Sequence, residues 1–277
     1  MVIRDALIEG GNILKSKGID AVDARVLLKF VLGYDDIKLS INSNLEISDK
    51  AYDRYLNMIN RRKDNEPIAY ITGTKEFMSL DFEVEKQILI PRPETEHIIE
   101  YVLEQDIKNA NVLDICTGSG AIAVSVAYYM KDAVVTALDI NDKCIEVATK
   151  NAKKHGVDNR CKIIKADALK EFDFENRFDI IISNPPYIKS QDVLQLEKDV
   201  KDYEPHLALD GGDDGLVFYR TISKNAYNIL KDNGIIIYEI GFDQADDVCQ
   251  ILKNEKYTQI KVIKDFAGHD RIVTAKK

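Results

Sequence analysis

The segment Asn184-Pro185-Pro186-Tyr187 places an amide side chain, free backbone carbonyl groups and an aromatic ring at one point of the chain. It follows the apolar run 178–182, whose composition is typical of a buried strand in a parallel sheet. Two consecutive prolines end such a strand, because neither has an N–H group to donate. Ligands of open α/β sheets bind at the carboxyl ends of strands. The segment therefore predicts a ligand site, and a proline-rich turn capped by the asparagine is the simpler alternative.

A second candidate site is the turn Cys116-Thr117-Gly118-Ser119-Gly120. Glycines allow a ligand to approach the backbone closely at the start of the following helix. The dinucleotide-binding pattern G-x-G-x-x-G is not met, because Cys116 stands in place of its first glycine and Ala121 in place of its last. The turn predicts a bound cofactor without naming it.

Three aspartates, Asp114, Asp139 and Asp167, lie at or near the ends of three successive predicted strands. Asp139 is placed to accept hydrogen bonds from the two hydroxyls of a ribose. Asp167 is placed to meet an adenine amino group, with Ala168 beside the ring. Each aspartate alone is typical of a strand end or a helix cap, whereas the three together indicate a nucleoside. A nicotinamide oxidoreductase uses a carboxylate in the same way, so that class stays open, although the first turn argues against it.

The elements that hold these residues follow from the alternation of apolar runs with helical patterns after residue 110. Repeated strand–helix units predict a parallel, doubly wound α/β sheet with right-handed crossovers. The last two strands lie too close together for a helical crossover, so we expect them to form an antiparallel hairpin. The predicted strands are 111–115, 133–138, 161–165, 178–183, 235–239, 258–263 and 271–275.

The region before this sheet predicts a different architecture. Apolar residues at helical spacing indicate a small helical bundle over 1–66, with Gly33 ending one helix and Ser48 capping another. Residues 67–92 predict a β-hairpin linker in which 82–84 form one arm and 88–90 the return arm. The remaining residues, 93–277, form the predicted main domain.

Composition limits the class of protein. The chain has 277 residues, 45% of them hydrophobic, and a formal net charge of −9. A charge of this sign argues against broad binding to a phosphate backbone. No apolar run approaches the roughly 20 residues that span a bilayer, so we expect a cytoplasmic protein without a membrane partner. The four cysteines are scattered and none forms a C-x-x-C pair, so we expect no disulfides and no metal site.

Taken together, these motifs resemble those of S-adenosylmethionine-dependent methyltransferases that act on a planar nitrogen. More narrowly, the chain resembles the release factor glutamine N5-methyltransferase (PrmC/HemK) family. The resemblance implies a Rossmann-like, seven-stranded class I methyltransferase domain with a small N-terminal helical domain that docks the substrate protein. It extends through further segments of the chain: 66–73, 90–96, 203–205, 209–216, 219–220, 239–241 and 267–271.

The resemblance also implies the reaction. The cofactor would be S-adenosyl-L-methionine, with S-adenosyl-L-homocysteine as product, bound by 116–120, Asp139, 167–168 and Asn184. The substrate would be the side-chain amide of the glutamine in the Gly-Gly-Gln motif of class I release factors. Asn184 and the Pro185 carbonyl would accept its N–H groups while Tyr187 stacks on the amide. Arg92, Glu94 and Asp114 are further candidate residues, whereas Glu239 and His269 are interpreted as structural.

One position departs from the family pattern, which commonly has glycine where this chain has Cys116. We expect a negative φ at Cys116 and a cofactor contact through its main chain, because a cysteine at positive φ is strained. The main rival function is an amino-group methyltransferase acting on a nucleic-acid base, which would need a basic face. A non-catalytic binding module would not need the strand end at Asn184. A monomer without direct nucleic-acid contacts is the default expectation.

Overall fold

The computed structural model describes residues 1–172, 174–175 and 177–277. Two units can be distinguished by their internal contacts. The first contains Met1–Thr74 and Lys198–Tyr203, and the second contains Lys75–Glu197 and Glu204–Lys277. Within the described ranges, no helix combines the length and the apolar character needed to cross a membrane.

Helices form most of the first unit, and apolar residues at helical spacing bury one face of each longer helix. The Ser48 hydroxyl accepts a hydrogen bond from the Ala51 N–H at 3.3 Å, which confirms the predicted N-cap. Gly33 has a φ of 64° and ends its helix in the left-handed conformation. The helices are α1 (Ile3–Lys15), α2 (Val22–Leu32), α3 (Asp36–Ile41), α4 (Asp49–Lys63) and α5 (Ile68–Thr72).

A two-stranded hairpin is formed by β1 (Thr74–Phe77) and β2 (Leu80–Glu83), and all of it except Thr74 belongs to the second unit. The predicted return arm at 88–90 is wrong, because these residues form no strand. The turn lies earlier, at Met78 and Ser79, whose φ values of 50° and 55° are typical of a tight type I′ hairpin turn. Neither residue is a glycine or asparagine, so the sequence carries no signal for this turn.

The second unit is built on a seven-stranded sheet with the order β5-β4-β3-β6-β7-β9-β8. Neighbouring strands from β5 to β7 are parallel, whereas β9 is antiparallel to both β7 and β8. The predicted α/β sheet with a closing antiparallel hairpin is therefore confirmed. The strands are β3 (Asn111–Ile115), β4 (Val134–Asp139), β5 (Cys161–Lys165), β6 (Phe178–Ser183), β7 (Leu230–Glu239), β8 (Thr258–Lys264) and β9 (Asp270–Lys276).

Helices cover both faces of this sheet. On β3, Val112 belongs to the apolar cluster of one face and Leu113 to that of the other, so the central strands are buried on both sides. The α-helices of the second unit are α6 (Glu96–Glu104), α7 (Ala121–Tyr129), α8 (Asp142–Lys154), α9 (Ser190–Val193), α11 (Val217–Ile229) and α12 (Ala245–Asn254), whereas α10 (Lys198–Lys201) belongs to the first unit. The short 3-10 helices are Pro93–Thr95 and His206–Ala208.

The parallel strands place the candidate residues at one edge. The carboxyl ends of β5, β4, β3 and β6 follow one another in space, although β6 comes after β5 in the chain. Neighbouring strands are about 4.8 Å apart, so residues that directly follow these strands form a row along the sheet edge.

Candidate functional site

The turn after β3 folds over the end of β4. The Thr117 N–H donates to the Leu138 carbonyl at 3.0 Å, and the Gly118 N–H donates to the Asp139 carboxylate at 2.9 Å. The glycine-containing turn and the predicted ribose-binding carboxylate are therefore one hydrogen-bonded structure. Its backbone is fixed by contacts that do not depend on a ligand.

Cys116 has a φ of 64°, so the expectation of a negative φ at this position is wrong. Gly118 and Gly120 in the same turn have φ values of 56° and 81°. The turn thus needs three left-handed residues, and cysteine adopts that conformation only at a cost. Burial, together with the nearby Asp139 and Asp114, raises the pKa of the Cys116 thiol well above its usual value. The thiol is therefore protonated at neutral pH and is a poor nucleophile.

Asp114 is hydrogen-bonded to the turn and to the start of α7. Its buried carboxylate accepts hydrogen bonds from the Thr117 hydroxyl at 2.5 Å and from the Ala123 N–H at 3.2 Å. Burial raises the pKa of Asp114 to about 7. Asp114 does not line the cavity described below. Its contacts give it a structural part in joining the turn to the first residues of α7.

Asp139 lies at the end of β4 with its carboxylate directed at backbone groups. One oxygen accepts from Gly118 and the other from the Asn141 N–H at 3.0 Å. The Cys144 thiol and the Ile140 N–H also form hydrogen bonds to this carboxylate, so a ribose hydroxyl would share its oxygens with protein donors. Burial is the main cause that raises the pKa of Asp139 above its usual value. Asp139 lines the cavity and could hold the two hydroxyls of a ribose.

Asp167 and Ala168 follow β5, the next strand along the edge. Both line the cavity, and one Asp167 oxygen accepts from the Leu169 N–H at 2.9 Å. The other oxygen faces a lysine only at 4.0 Å, from Lys170. This end of the row therefore offers a hydrogen-bond acceptor beside a small apolar side chain, which fits an amino-bearing planar base.

The segment 184–187 directly follows β6, as predicted. Asn184 and Pro186 line the cavity, whereas Pro185 is buried behind it and Tyr187 packs, half-buried, against the apolar cluster on the face of α11. The strand end is tied to its neighbour by the Ser183 hydroxyl, which donates to the Ile115 carbonyl at 2.7 Å.

The glycine-rich loop 209–216 packs against the backbone of this segment. A Cβ atom on Gly211 would lie 2.8 Å from the Tyr187 Cα and 2.9 Å from the Pro186 carbonyl oxygen. A Cβ atom on Gly215 would lie 2.4 Å from the Tyr187 carbonyl oxygen, which accepts from the Gln244 side chain at 2.9 Å. The glycines of the predicted motif 209–216 thus permit backbone-to-backbone packing that no other residue allows.

Thr95 and Glu239 complete the surroundings of Asn184. The Thr95 hydroxyl donates to the Glu239 carboxylate at 2.6 Å, and the Asn184 side-chain NH₂ group donates to the Thr95 oxygen at 3.4 Å. Thr95 lines the cavity and Glu239 is 2% exposed. Burial raises the pKa of Glu239 to about 7. Sequence reasoning missed Thr95, whose only signal was its place in the motif 90–96.

Of the further candidates, Arg92 lines the cavity and Glu94 does not. The Arg92 guanidinium donates to the Glu204 carboxylate at 2.5 Å, and Glu204 is almost completely buried. Glu94 is exposed at the start of the 3-10 helix Pro93–Thr95. Arg92 therefore connects the residues before α6 with the loop that follows α10.

The cavity is open to solvent at its mouth. Along the sheet edge it passes from Asp167 to Asp139, then the turn after β3, then Asn184, which fits a nucleoside followed by a reacting group at Asn184. Apolar side chains that were not predicted complete its walls: Leu89, Ile122, Leu138, Ile140, Leu207 and Phe218. Predicted residues in the lining are Arg92, Cys116, Thr117, Gly118, Ser119, Asp139, Asp167, Ala168, Asn184 and Pro186, and those outside it are Glu94, Asp114, Gly120, Pro185 and Tyr187.

Two family models match the chain. Residues 95–236 match the methyltransferase small domain. Residues 5–73 match the PrmC N-terminal domain. The first match contains the row of strand ends that forms the cavity, and the second contains nearly all of the N-terminal helices.

Relatives align with this chain from end to end. A release factor glutamine methyltransferase of Clostridium acetobutylicum is 46% identical over 99% of this chain and 98% of its own length. The enzyme of the same name from Clostridium botulinum is 42% identical over 100% of both chains. Among solved structures, a methyltransferase from Pyrococcus furiosus has a TM-score of 0.54 and 20% identity, covering 83% of this chain and 99% of its own. This last likeness concerns the fold.

Proposed function

Because the chain belongs to the release factor glutamine methyltransferase family, we propose that it methylates a glutamine side chain in its substrate protein. The acceptor is the amide nitrogen, N5, of the glutamine in the Gly-Gly-Gln motif of class I peptide chain release factors. The methyl donor is S-adenosyl-L-methionine. The observation that supports this most directly is that Asn184 lines the same cavity as Asp139 and Asp167.

The cavity fits this methyl donor. Asp139 presents a carboxylate to the cavity for ribose hydroxyls, and Asp167 and Ala168 offer an acceptor and an apolar contact to the base. Cys116 and Gly118 of the turn line the cavity between Asp139 and Asn184. When bound, the cofactor supplies a methyl group on a positively charged sulfur, which keeps the electron pair of the broken carbon–sulfur bond.

The chain's own contribution is to orient a weak nucleophile. The lone pair of an amide nitrogen is delocalised into its carbonyl group, so its approach to the methyl carbon must be controlled. The Asn184 side-chain oxygen accepts one N–H of the substrate amide. We assign the second acceptor to the Pro185 carbonyl because the Pro186 carbonyl faces Gly211, although Pro185 itself does not line the cavity. Fixing the reacting atoms in this way contributes on the order of 7–11 kcal/mol in favourable cases.

No general base is required. As the carbon–nitrogen bond forms, the nitrogen becomes cationic and its proton is released to water. Proline suits the position after Asn184 because it holds its carbonyl rigidly and has no N–H group that would compete for the acceptors. The N-terminal helices, α1 to α5, dock the release factor, and the reaction takes place in the cytoplasm.

A methyl-transfer assay tests the proposal. The purified protein and S-adenosylmethionine are offered a class I release factor, structured RNA and duplex DNA in separate reactions, and products are mapped by mass spectrometry. We expect one methyl group on the Gly-Gly-Gln glutamine, absent when Asn184→Ala replaces the wild-type enzyme. Methylated nucleic acid with an unmodified release factor would keep the cofactor and overturn the substrate.

A further inference from the structure

We propose that Thr95 and Glu239 are positioning residues that fix which end of the Asn184 amide faces the methyl acceptor. This inference rests on the proposed function, because it concerns how Asn184 receives the glutamine amide. It assigns a role to Glu239, which the sequence alone indicated as structural, and to Thr95, which the sequence indicated only through its place in the motif 90–96.

The end of an asparagine side chain is nearly symmetrical in shape. Its oxygen and its NH₂ group have almost the same shape, so packing alone does not choose between the two orientations. Only the oxygen can accept an N–H of the substrate amide. If the NH₂ group faced the acceptor, two donors would oppose each other, and a bound donor without a partner costs affinity. Asn184 therefore needs hydrogen-bond partners that recognise its NH₂ group.

Thr95 and Glu239 supply that recognition in a fixed direction. An ionised carboxylate can only accept, so the Thr95 hydroxyl spends its one proton on Glu239, at 2.6 Å. The Thr95 oxygen is then limited to accepting, and it receives the Asn184 NH₂ group at 3.4 Å. Glu239 also favours that NH₂ group directly, because a hydrogen bond from Asn184 acts to lower the Glu239 pKa. The Asn184 oxygen is left to face the cavity.

Burial makes the chain of hydrogen bonds specific. Glu239 is 2% exposed and Thr95 is 4% exposed, so water does not offer either group an alternative partner. The charged groups that act on the Glu239 carboxylate are Arg271 from β9 and Glu94 from the residues before α6. Glu239 in turn helps to raise the pKa values of the Tyr187 and Tyr219 hydroxyls. The Tyr219 hydroxyl donates to the Glu239 backbone carbonyl at 2.8 Å. It therefore does not compete with Thr95 for the Glu239 carboxylate.

Protonation of Glu239 reverses the donor and acceptor roles in the hydrogen bonds from Asn184 through Thr95 to Glu239. A protonated carboxyl group can donate to the Thr95 oxygen, whose own proton is then free to turn towards Asn184. The amide is no longer held with its oxygen in the cavity. With a pKa of about 7 for Glu239, the rate of methyl transfer should fall as the pH is lowered through that value, while Asn184 itself does not titrate.

Kinetics of three single variants and one double variant test the proposal. We expect Thr95→Val and Glu239→Gln each to lower kcat about tenfold to a hundredfold, with the dissociation constant for S-adenosylhomocysteine changed less than about twofold. Thr95→Ser, which keeps the hydroxyl, should recover most of the rate lost in Thr95→Val. The double variant Thr95→Val/Glu239→Gln should be no slower than the worse single variant, because both changes break one chain. Multiplied losses, or a serine variant as slow as valine, would overturn the proposal.

Ser223→Ala is the matched control for removing a buried hydroxyl. Ser223 lies in α11 and its hydroxyl bonds the Tyr238 hydroxyl at 3.0 Å, away from the cavity lining. It should lose stability as Thr95→Val does and keep its kcat. The wild-type rate should show an acidic limb near pH 7 that is absent in Glu239→Gln. If Ser223→Ala also lost the acidic limb of the pH–rate profile, the limb would report on folding and not on Glu239.

A nuclear magnetic resonance measurement separates this inference from the proposed function. In the ¹⁵N-labelled enzyme with bound S-adenosylhomocysteine, the Asn184 side-chain NH₂ resonances should titrate near pH 7 and lose that titration in Glu239→Gln. This readout needs no methyl acceptor. A wild-type enzyme that shows the titration but leaves the release factor unmethylated would overturn the substrate and keep the positioning. An enzyme that methylates the release factor but whose Asn184 resonances do not titrate would keep the proposed function and overturn the positioning role.

Discussion

The left-handed conformation of Cys116 predicts that glycine is the better residue at this position. The left-handed conformation costs a non-glycine residue about 1–2 kcal/mol. A glycine avoids this cost, but part of the stability gained is lost because glycine has more conformational freedom in the unfolded chain. We expect Cys116→Gly to raise the free energy of unfolding by up to about 1 kcal/mol in urea denaturation. Cys144→Gly, inside α8, is the control and should lower it. Destabilisation by Cys116→Gly would contradict the strain.

Asp139 and Asn184 should separate binding from reaction when each is replaced by alanine. Asp139→Ala removes a charged acceptor and should weaken S-adenosylhomocysteine binding by about 1.5–3 kcal/mol, measured by calorimetry. Asn184→Ala should retain most of that affinity and lower kcat about a hundredfold or more. Equal losses of affinity in both variants would mean that Asn184 is mainly a cofactor ligand. Because burial raises the Asp139 pKa, wild-type affinity should weaken when the pH is lowered through that raised value.

The residues of the site differ in how far the sequence could predict them. Asp139, Asp167 and Asn184 each follow a strand directly, and the carboxyl ends of parallel strands share one edge, so their meeting follows from the fold. Thr95 and Glu239 lie 144 positions apart in the chain. Their pairing depends on how the residues before α6 meet the end of β7, which no local pattern encodes.

At the scale of elements, the glycine-rich loop positions the segment 184–187. A Cβ atom on Gly211 would meet backbone atoms of Pro186 and Tyr187 at 2.9 and 2.8 Å, so one segment must move. We expect Gly211→Ala to lower kcat about tenfold to a hundredfold while the dissociation constant for S-adenosylhomocysteine stays within about twofold. Gly18→Ala is the control: Gly18 has a φ of 77° and open space around it, so stability falls and kcat does not. Normal turnover in Gly211→Ala would show that the loop adapts.

The β1–β2 hairpin shows which elements escape sequence reasoning. The long strands and helices could be predicted because their apolar periods repeat over many residues. The hairpin turn at Met78 and Ser79 carries no glycine or asparagine, and the predicted arms were therefore placed too late in the chain. Ile88 is buried without being in a strand, where it packs with Cys144 and Val147 of α8. An apolar run indicates burial more reliably than it indicates a strand.

At the scale of the whole molecule, the order of strands was predictable only in part. Alternating strands and helices imply a parallel sheet, and the short link between the last two strands implies their hairpin. The position of β9 between β7 and β8 depends on non-local packing. The domain limits at residues 66 and 92 stay predictions, as does the docking of the release factor by the N-terminal helices.

Two buried carboxyl groups should make stability and activity respond to pH in opposite directions. Asp114 and Glu239 both have pKa values raised to about 7, whereas unfolded carboxyl groups titrate near 4. Between these values the folded state holds protons that the unfolded state releases. Each group therefore lowers the free energy of unfolding by about 1.4 kcal/mol per pH unit as the pH rises towards 7.

Urea denaturation between about pH 6 and pH 8 measures this effect. The free energy of unfolding should fall from pH 6 to pH 7 and then level off, and Asp114→Asn should reduce the slope, since one of the two titrating groups is gone. Surface carboxylates such as Asp210 and Asp214 have lowered pKa values and titrate below this range. A rise in stability from pH 6 to pH 7 would contradict the raised pKa values. Methyl transfer should increase over the same interval, because the ionised form of Glu239 that destabilises the fold is the form that orients Asn184.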